Sequence, residues 1–157
     1  MSKQVYFLFG FCYNIHIYPE KKGVFIMTLT EQAKKYYTDE GKNCAVAILL
    51  AGSDVYGLGL GTEDTKLVVG FGGGMGCGNT CGALAGSISV LGKLFVGRED
   101  FRAICAEFVK AFEDTLGCNS TNCSVLCPKY KTEERRCEET VLRTADLLEK
   151  FVGEKNG

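Results

Sequence analysis

The chain has 157 residues, enough for one domain that buries about 68–70% of its unfolded surface, so neither disulfides nor metal are required for folding. Its formal net charge is −1, from 18 Lys and Arg against 19 Asp and Glu, and aromatic residues are not interleaved with basic ones, which argues against nucleic acid as a partner. No apolar run reaches the roughly 18 residues of a membrane span.

Residues 1–26 differ from the rest of the chain: they are aromatic-rich, hold Cys12, Pro19 and the single histidine, His16, and show no helical or strand period. Asn14 and His16 interrupt the apolar stretch and no small-residue cleavage site comes after it, against a signal peptide. Met27 is the expected natural start, because Lys22-Gly23-Val24 can be encoded by codons that contain a bacterial ribosome-binding sequence. The expected organisation is an N-terminal extension over 1–26, one helical domain over 27–153 and a tail over 154–157.

From Thr28 onward the sequence predicts an all-α fold, a compact multi-helix bundle with a glycine-rich loop before a central helix. Thr28 or Thr30 is a fair N-cap for a first helix that Gly41 stops. Asn43 then caps an apolar helix over 44–51, whose lack of a polar face predicts burial on all sides. Residues 52–61 read as a glycine-rich connection, and a short helix from Thr62 or Asp64 leads into the loop Gly70–Gly78. Thr80 is expected to cap a helix from Cys81 to about Phe95, in which small residues allow close packing.

Asp100 caps an amphipathic helix with Phe101, Ile104, Cys105, Phe108, Phe112 and Leu116 on one stripe, ended by Gly117. Cys123–Cys127 reads as a single helical turn closed by Pro128. Thr132 opens the last helix, with Cys137, Val141, Ala145, Leu148 and Val152 inward and Gly153 at its end.

Nine cysteines in a chain without a convincing signal peptide point to metal or redox work rather than a disulfide framework. With no histidine in the body of the protein, there is neither a Cys-His nucleophile pair nor a Cys₂His₂ zinc site. Asn43-Cys44, Thr80-Cys81 and Asn122-Cys123 each place a cysteine after a capping residue. Such thiols would sit at helix starts, where N–H groups and the helix dipole can lower a thiol pKa to about 3.5–7.5. Cys77/Cys81 and Cys123/Cys127 are four apart, a spacing that puts both sulfurs on one face of a helix. Cys105 reads as core, and Cys137 alone would as well.

The glycine loop fits neither G-x-G-x-x-G nor the P-loop pattern, so nucleotide binding is not expected. Its unhindered N–H groups, including those of Gly74, Gly76 and Gly82, suit an anion or sulfur nest.

Cys44, Phe71-Gly-Gly-Gly-Met75, Cys81-Gly82-Ala83-Leu84-Ala85-Gly86, Cys123 and Cys137 together resemble the bacterial and archaeal redox-active family with a C…GCAxxG…C…C pattern. The flanks Glu40–Ala45, Val90-Leu91-Gly92 and Ser120–Cys123 share in the resemblance, which spans about Thr28 to Phe151. It carries the four motif cysteines to Cys44, Cys81, Cys123 and Cys137, and leaves Cys77, Cys105, Cys118 and Cys127 as additions. A similar domain occurs in split-Soret-type cytochromes with an iron–sulfur centre. The resemblance therefore implies that the four cysteines ligate a [2Fe–2S]-type centre for electron transfer, with Gly74, Gly76 and Gly82 supplying N–H groups.

Three alternatives stay open: thiol–disulfide chemistry in which Cys81 attacks and Cys44 or Cys123 resolves, a structural Cys₄ zinc site, and inert core cysteines. An electron-transfer or redox accessory protein of the cytoplasm fits better than a substrate-specific enzyme. Its expected partner is an electron donor or acceptor protein, and a homodimer is compatible with the sequence.

Overall fold

The computed structural model describes residues 27–157; the expectations for Cys12, His16 and the rest of residues 1–26 lie outside them. Seven α-helices and no β-strand make up the described chain. Helix α1 (Leu29–Lys34) starts on a capping box: Thr28 Oγ1 accepts from the Glu31 N–H, and Glu31 accepts from the Thr28 N–H. It runs on as a π-helical turn over Lys35–Asp39 and stops before Gly41, as expected.

Helix α2 (Cys44–Tyr56) is capped by Asn43, whose Oδ1 accepts from the N–H groups of Ala45 and Val46. It continues five residues beyond the expected end at Ala51. Gly52 does not break it, because Val90 fills the space beside it: a Cβ there would lie 2.6 Å from Val90 Cγ2. After the short α3 (Thr62–Thr65), the glycine loop leads into the central helix α4 (Gly82–Phe95). Helices α2 and α4 cross where Gly86 meets the α2 backbone, a Cβ at 86 being only 2.6 Å from the Ala45 carbonyl oxygen. The small residues of α4 do serve proximity.

Helix α5 (Phe101–Leu116) buries Ile104, Phe108, Phe112 and Leu116, and Gly117 ends it in the left-handed conformation. Asp100 stands at its N-cap but makes no capping bond, since its carboxylate is held by Arg98 at 2.7–2.8 Å. Cys105 is half-buried at the edge of the stripe rather than in the core. Helix α6 (Cys123–Tyr130) passes through Pro128 instead of stopping there. The bond lost is the one to the carbonyl of exposed Ser124, and Tyr130 anchors the end by donating to the Leu116 carbonyl at 2.6 Å.

Helix α7 (Glu138–Asn156) starts six residues later than expected and runs through Gly153. Thr132 is instead paired with Arg136 in a tight antiparallel turn. The expected tail is therefore mostly helix. The aliphatic and aromatic core knits α1, α2, α4, α5 and α7, with Phe108 and Phe151 edge-to-face at 5.1 Å.

Candidate functional site

One cavity of about 260 Å³ is lined by five cysteines, Cys44, Cys81, Cys123, Cys127 and Cys137, together with Tyr37, Asn43, Gly73, Lys131 and Arg136. That is several times the roughly 30 Å³ share of a liquid water. All four motif cysteines line it. Cys77, Cys105 and Cys118 do not.

Cys44 is the first residue of α2, and the N–H groups of Gly73, Ala45, Cys44 itself and Ala83 are directed at its sulfur. Gly82 is what lets α4 come this close. A Cβ on it would lie 2.5 Å from Cys44 Sγ and 2.7 Å from the Phe71 carbonyl oxygen, both inside contact distance. Cys81 occupies the N-cap position of α4 expected for Thr80; its side chain makes no capping bond, and the N–H groups of Leu84 and Ala83 only partly offset the rise of its thiol pKa.

Thr80 is engaged elsewhere, in an isolated antiparallel bridge with Asn122. The Cys81 N–H donates to the Thr121 carbonyl and the Cys123 N–H to the Asn79 carbonyl, each at 2.7 Å. This bridge brings two cysteines distant in sequence to the same cavity. Asn122 stands at the N-cap of α6 as expected, but its side chain makes no capping bond.

Of the three glycines assigned to the site, Gly74 adjoins it: at φ 64°, a Cβ there would lie 2.7 Å from Cys123 Cβ and 2.4 Å from the Asn79 carbonyl oxygen. Gly82 abuts Cys44. Gly76, at φ 72°, shapes the turn, and a Cβ there would meet nothing within 4 Å. Gly73, which the sequence did not single out, is the loop glycine that lines the cavity.

Elsewhere in the lining, Cys123 and Cys127 sulfurs lie 3.4 Å apart, and Cys127 and Cys137 sulfurs 3.8 Å apart. Cys137 stands at the N-cap of α7, not within the helix. Its N–H donates to the Tyr37 hydroxyl at 2.8 Å, while Arg136 donates to the Tyr37 carbonyl and stacks over the Tyr37 ring at 4.2 Å. Tyr37 and Arg136 gave no signal in the sequence. Cys127 did, through its four-residue spacing from Cys123, and it belongs to the cluster rather than being peripheral.

The expectation of lowered thiol pKa values is overturned. Burial outweighs the helix-start N–H groups, pushing the Cys44 thiol up and that of Cys81 to about 11, the latter helped by its neighbour Cys44. Cys123 and Cys137 rise to about 12, through burial first and then the adjacent Cys127. Burial likewise raises Tyr37 to about 12. Among the described residues, no three Cys, His, Asp or Glu side chains converge tightly enough to hold one metal ion as they stand, and no helix is long and apolar enough to cross a membrane.

The chain is thus an all-helical domain with cysteines drawn from four segments to one cavity. Residues 42–151 match the family described as "Putative redox-active protein (C_GCAxxG_C_C)", and the chain belongs to that family. It is 28% identical over 143 residues to an uncharacterized protein of Archaeoglobus fulgidus, covering 77% of this chain and 93% of the archaeal one. No solved structure matches it.

Proposed function

We propose that the chain is an electron-transfer or redox accessory protein in which Cys44, Cys81, Cys123 and Cys137 hold a [2Fe–2S]-type centre. The observation that carries this reading is the convergence of four helix-terminal cysteines on one cavity. A [2Fe–2S] centre takes four Cys thiolates. A single zinc ion would instead need its four sulfurs at about 2.3 Å from one point.

When bound, the centre supplies one-electron transfer. The protein's part is to exclude water, to orient the sulfurs, and to stabilise thiolate charge. The N–H groups of Gly73, Ala45, Ala83 and Leu84 do the last at Cys44 and Cys81. Cys44, Cys81, Cys123 and Cys137, raised by burial in the metal-free protein, would be held as thiolates if they ligated a metal. A reducing compartment such as the cytoplasm suits the free thiols, and the partner is a protein donor or acceptor of electrons.

Anaerobic purification, or reconstitution with iron and sulfide, tests the reading by visible absorption and by iron and acid-labile sulfide assay. The expected result is a coloured protein with about two iron and two sulfide per chain. A colourless protein, free of iron after reconstitution, contradicts it.

A further inference from the structure

Five thiols line a cavity whose proposed centre needs four, and the fifth, Cys127, stands between two of the others. We infer that Cys127 and Cys137 form a second redox element in the same cavity, a dithiol/disulfide couple that takes low-molecular-weight disulfides as its substrate. The inference touches the proposed function at one point only: Cys137 belongs to both, so the couple operates when the four-thiol set is unloaded.

Geometry selects this pair over the shorter contact. Cys123 and Cys127 are four residues apart within α6, where side chains at that spacing have Cβ atoms about 5–6 Å apart. A disulfide needs Cβ atoms about 3.5–4.5 Å apart, so bridging Cys123 to Cys127 would distort α6. Cys127 and Cys137 are subject to no such restraint. Their sulfurs are 3.8 Å apart, and Cys137 is the N-cap of α7, reached through an exposed turn over residues 132–136. A small movement of that turn closes the bond. Both cysteines are only half-buried, so a small disulfide can reach the pair.

The reaction balances as two exchange steps. One thiolate of the pair attacks a sulfur of the small disulfide, forming a mixed disulfide and releasing one small thiol. The second cysteine then attacks the protein sulfur of that mixed disulfide, closing the Cys127–Cys137 bond and releasing the second thiol. Two protein thiols are oxidised and one small disulfide is reduced to two thiols. The closed bond occupies Cys137, so the oxidised pair and a four-thiolate centre exclude each other.

The test uses the full chain, stripped of metal with chelator under reductant, desalted anaerobically and treated with bis(2-hydroxyethyl) disulfide. After acid quench and alkylation, trypsin releases residues 111–129, which hold Cys118, Cys123 and Cys127, and residues 137–143, which hold Cys137. The expected result is loss of two thiols per chain, release of two 2-mercaptoethanol, and the two peptides joined, with fragmentation placing the bond at Cys127. Cys127→Ser abolishes the link and Cys123→Ser preserves it, each variant first checked for native helicity. An unlinked 137–143 peptide in the wild type, or a link that survives Cys127→Ser, overturns the inference. Fragmentation that places the bond at Cys123 or Cys118 overturns it equally. A wild-type protein that forms the link yet takes up no iron upholds the couple while the proposed centre fails. One that takes up iron yet never forms the link does the reverse.

Discussion

Cys44 and Cys81 open two long helices that cross at the centre of the fold, whereas Cys123, Cys127 and Cys137 sit on a short helix and at the edge of a turn, with Cys127 in contact with both others. The first wall is fixed by the packing of α2 on α4 and cannot move without disturbing the core. The second is held by a two-residue bridge, by Tyr37 and by Arg136. One wall is therefore built to hold sulfur in place, and the other has room to change its bonding.

The largest expected effect tests the rigid wall. In Gly82→Ala the new methyl meets Cys44 Sγ and a backbone oxygen, neither of which can retreat, so chemical denaturation should show a loss of about 3 kcal/mol. Iron uptake on reconstitution should fall with it. A Gly82→Ala protein of wild-type stability would show that the wall is softer than its packing implies.

Alkaline pH comes next and acts on both walls. In the reduced, metal-free protein, Cys81 is raised to about 11 and Cys123 and Cys137 to about 12, above the ordinary 9.0 that they regain on unfolding. The folded state then binds more protons than the unfolded state between those values. Stability should be flat below about pH 9 and fall as pH rises from there toward 12. Urea midpoints measured at several pH values check the sign, and Cys123→Ser or Cys137→Ser should flatten the decline.

Tyr37→Phe addresses the second wall alone. It leaves the Cys137 N–H without its acceptor, at a cost of about 1–3 kcal/mol. Alkylation of Cys137 should speed up while that of Cys44 stays unchanged. Equal acceleration at both would mean that the walls are not independent. Asn43→Ala is the smallest change, about 1 kcal/mol from the lost N-cap, and should loosen Cys44 with little effect at Cys137.

The rigid wall is the more legible one in the sequence. Asn43 as a cap, the apolar run of α2 and the small residues of α4 are local signals, and the packing obeys them. The second wall depends on contacts that leave no periodic trace. A bridge of one residue pair, Thr80 with Asn122, produces no alternation to read, and Cys81 rather than Thr80 takes the N-cap of α4. Thr132 offers a plausible helix start, but the turn that pairs it with Arg136 displaces the start of α7 to Glu138 and puts Cys137 at the cap. Thiol acidity is not legible from helix starts alone, because burial, which only the folded chain reveals, outweighs them. The spacing of Cys127 from Cys123 suggests a metal pattern, and nothing local points from Cys127 to Cys137.

The central claim is that one set of four cavity thiols holds the centre, and thiol footprinting of the iron-loaded protein tests it most directly. Alkylation followed by mass spectrometry, compared between loaded and metal-free protein, should show Cys44, Cys81, Cys123 and Cys137 protected by loading, with Cys77, Cys105 and Cys118 unchanged. Protection of cysteines outside the cavity, or identical labelling of the two forms, would contradict the account.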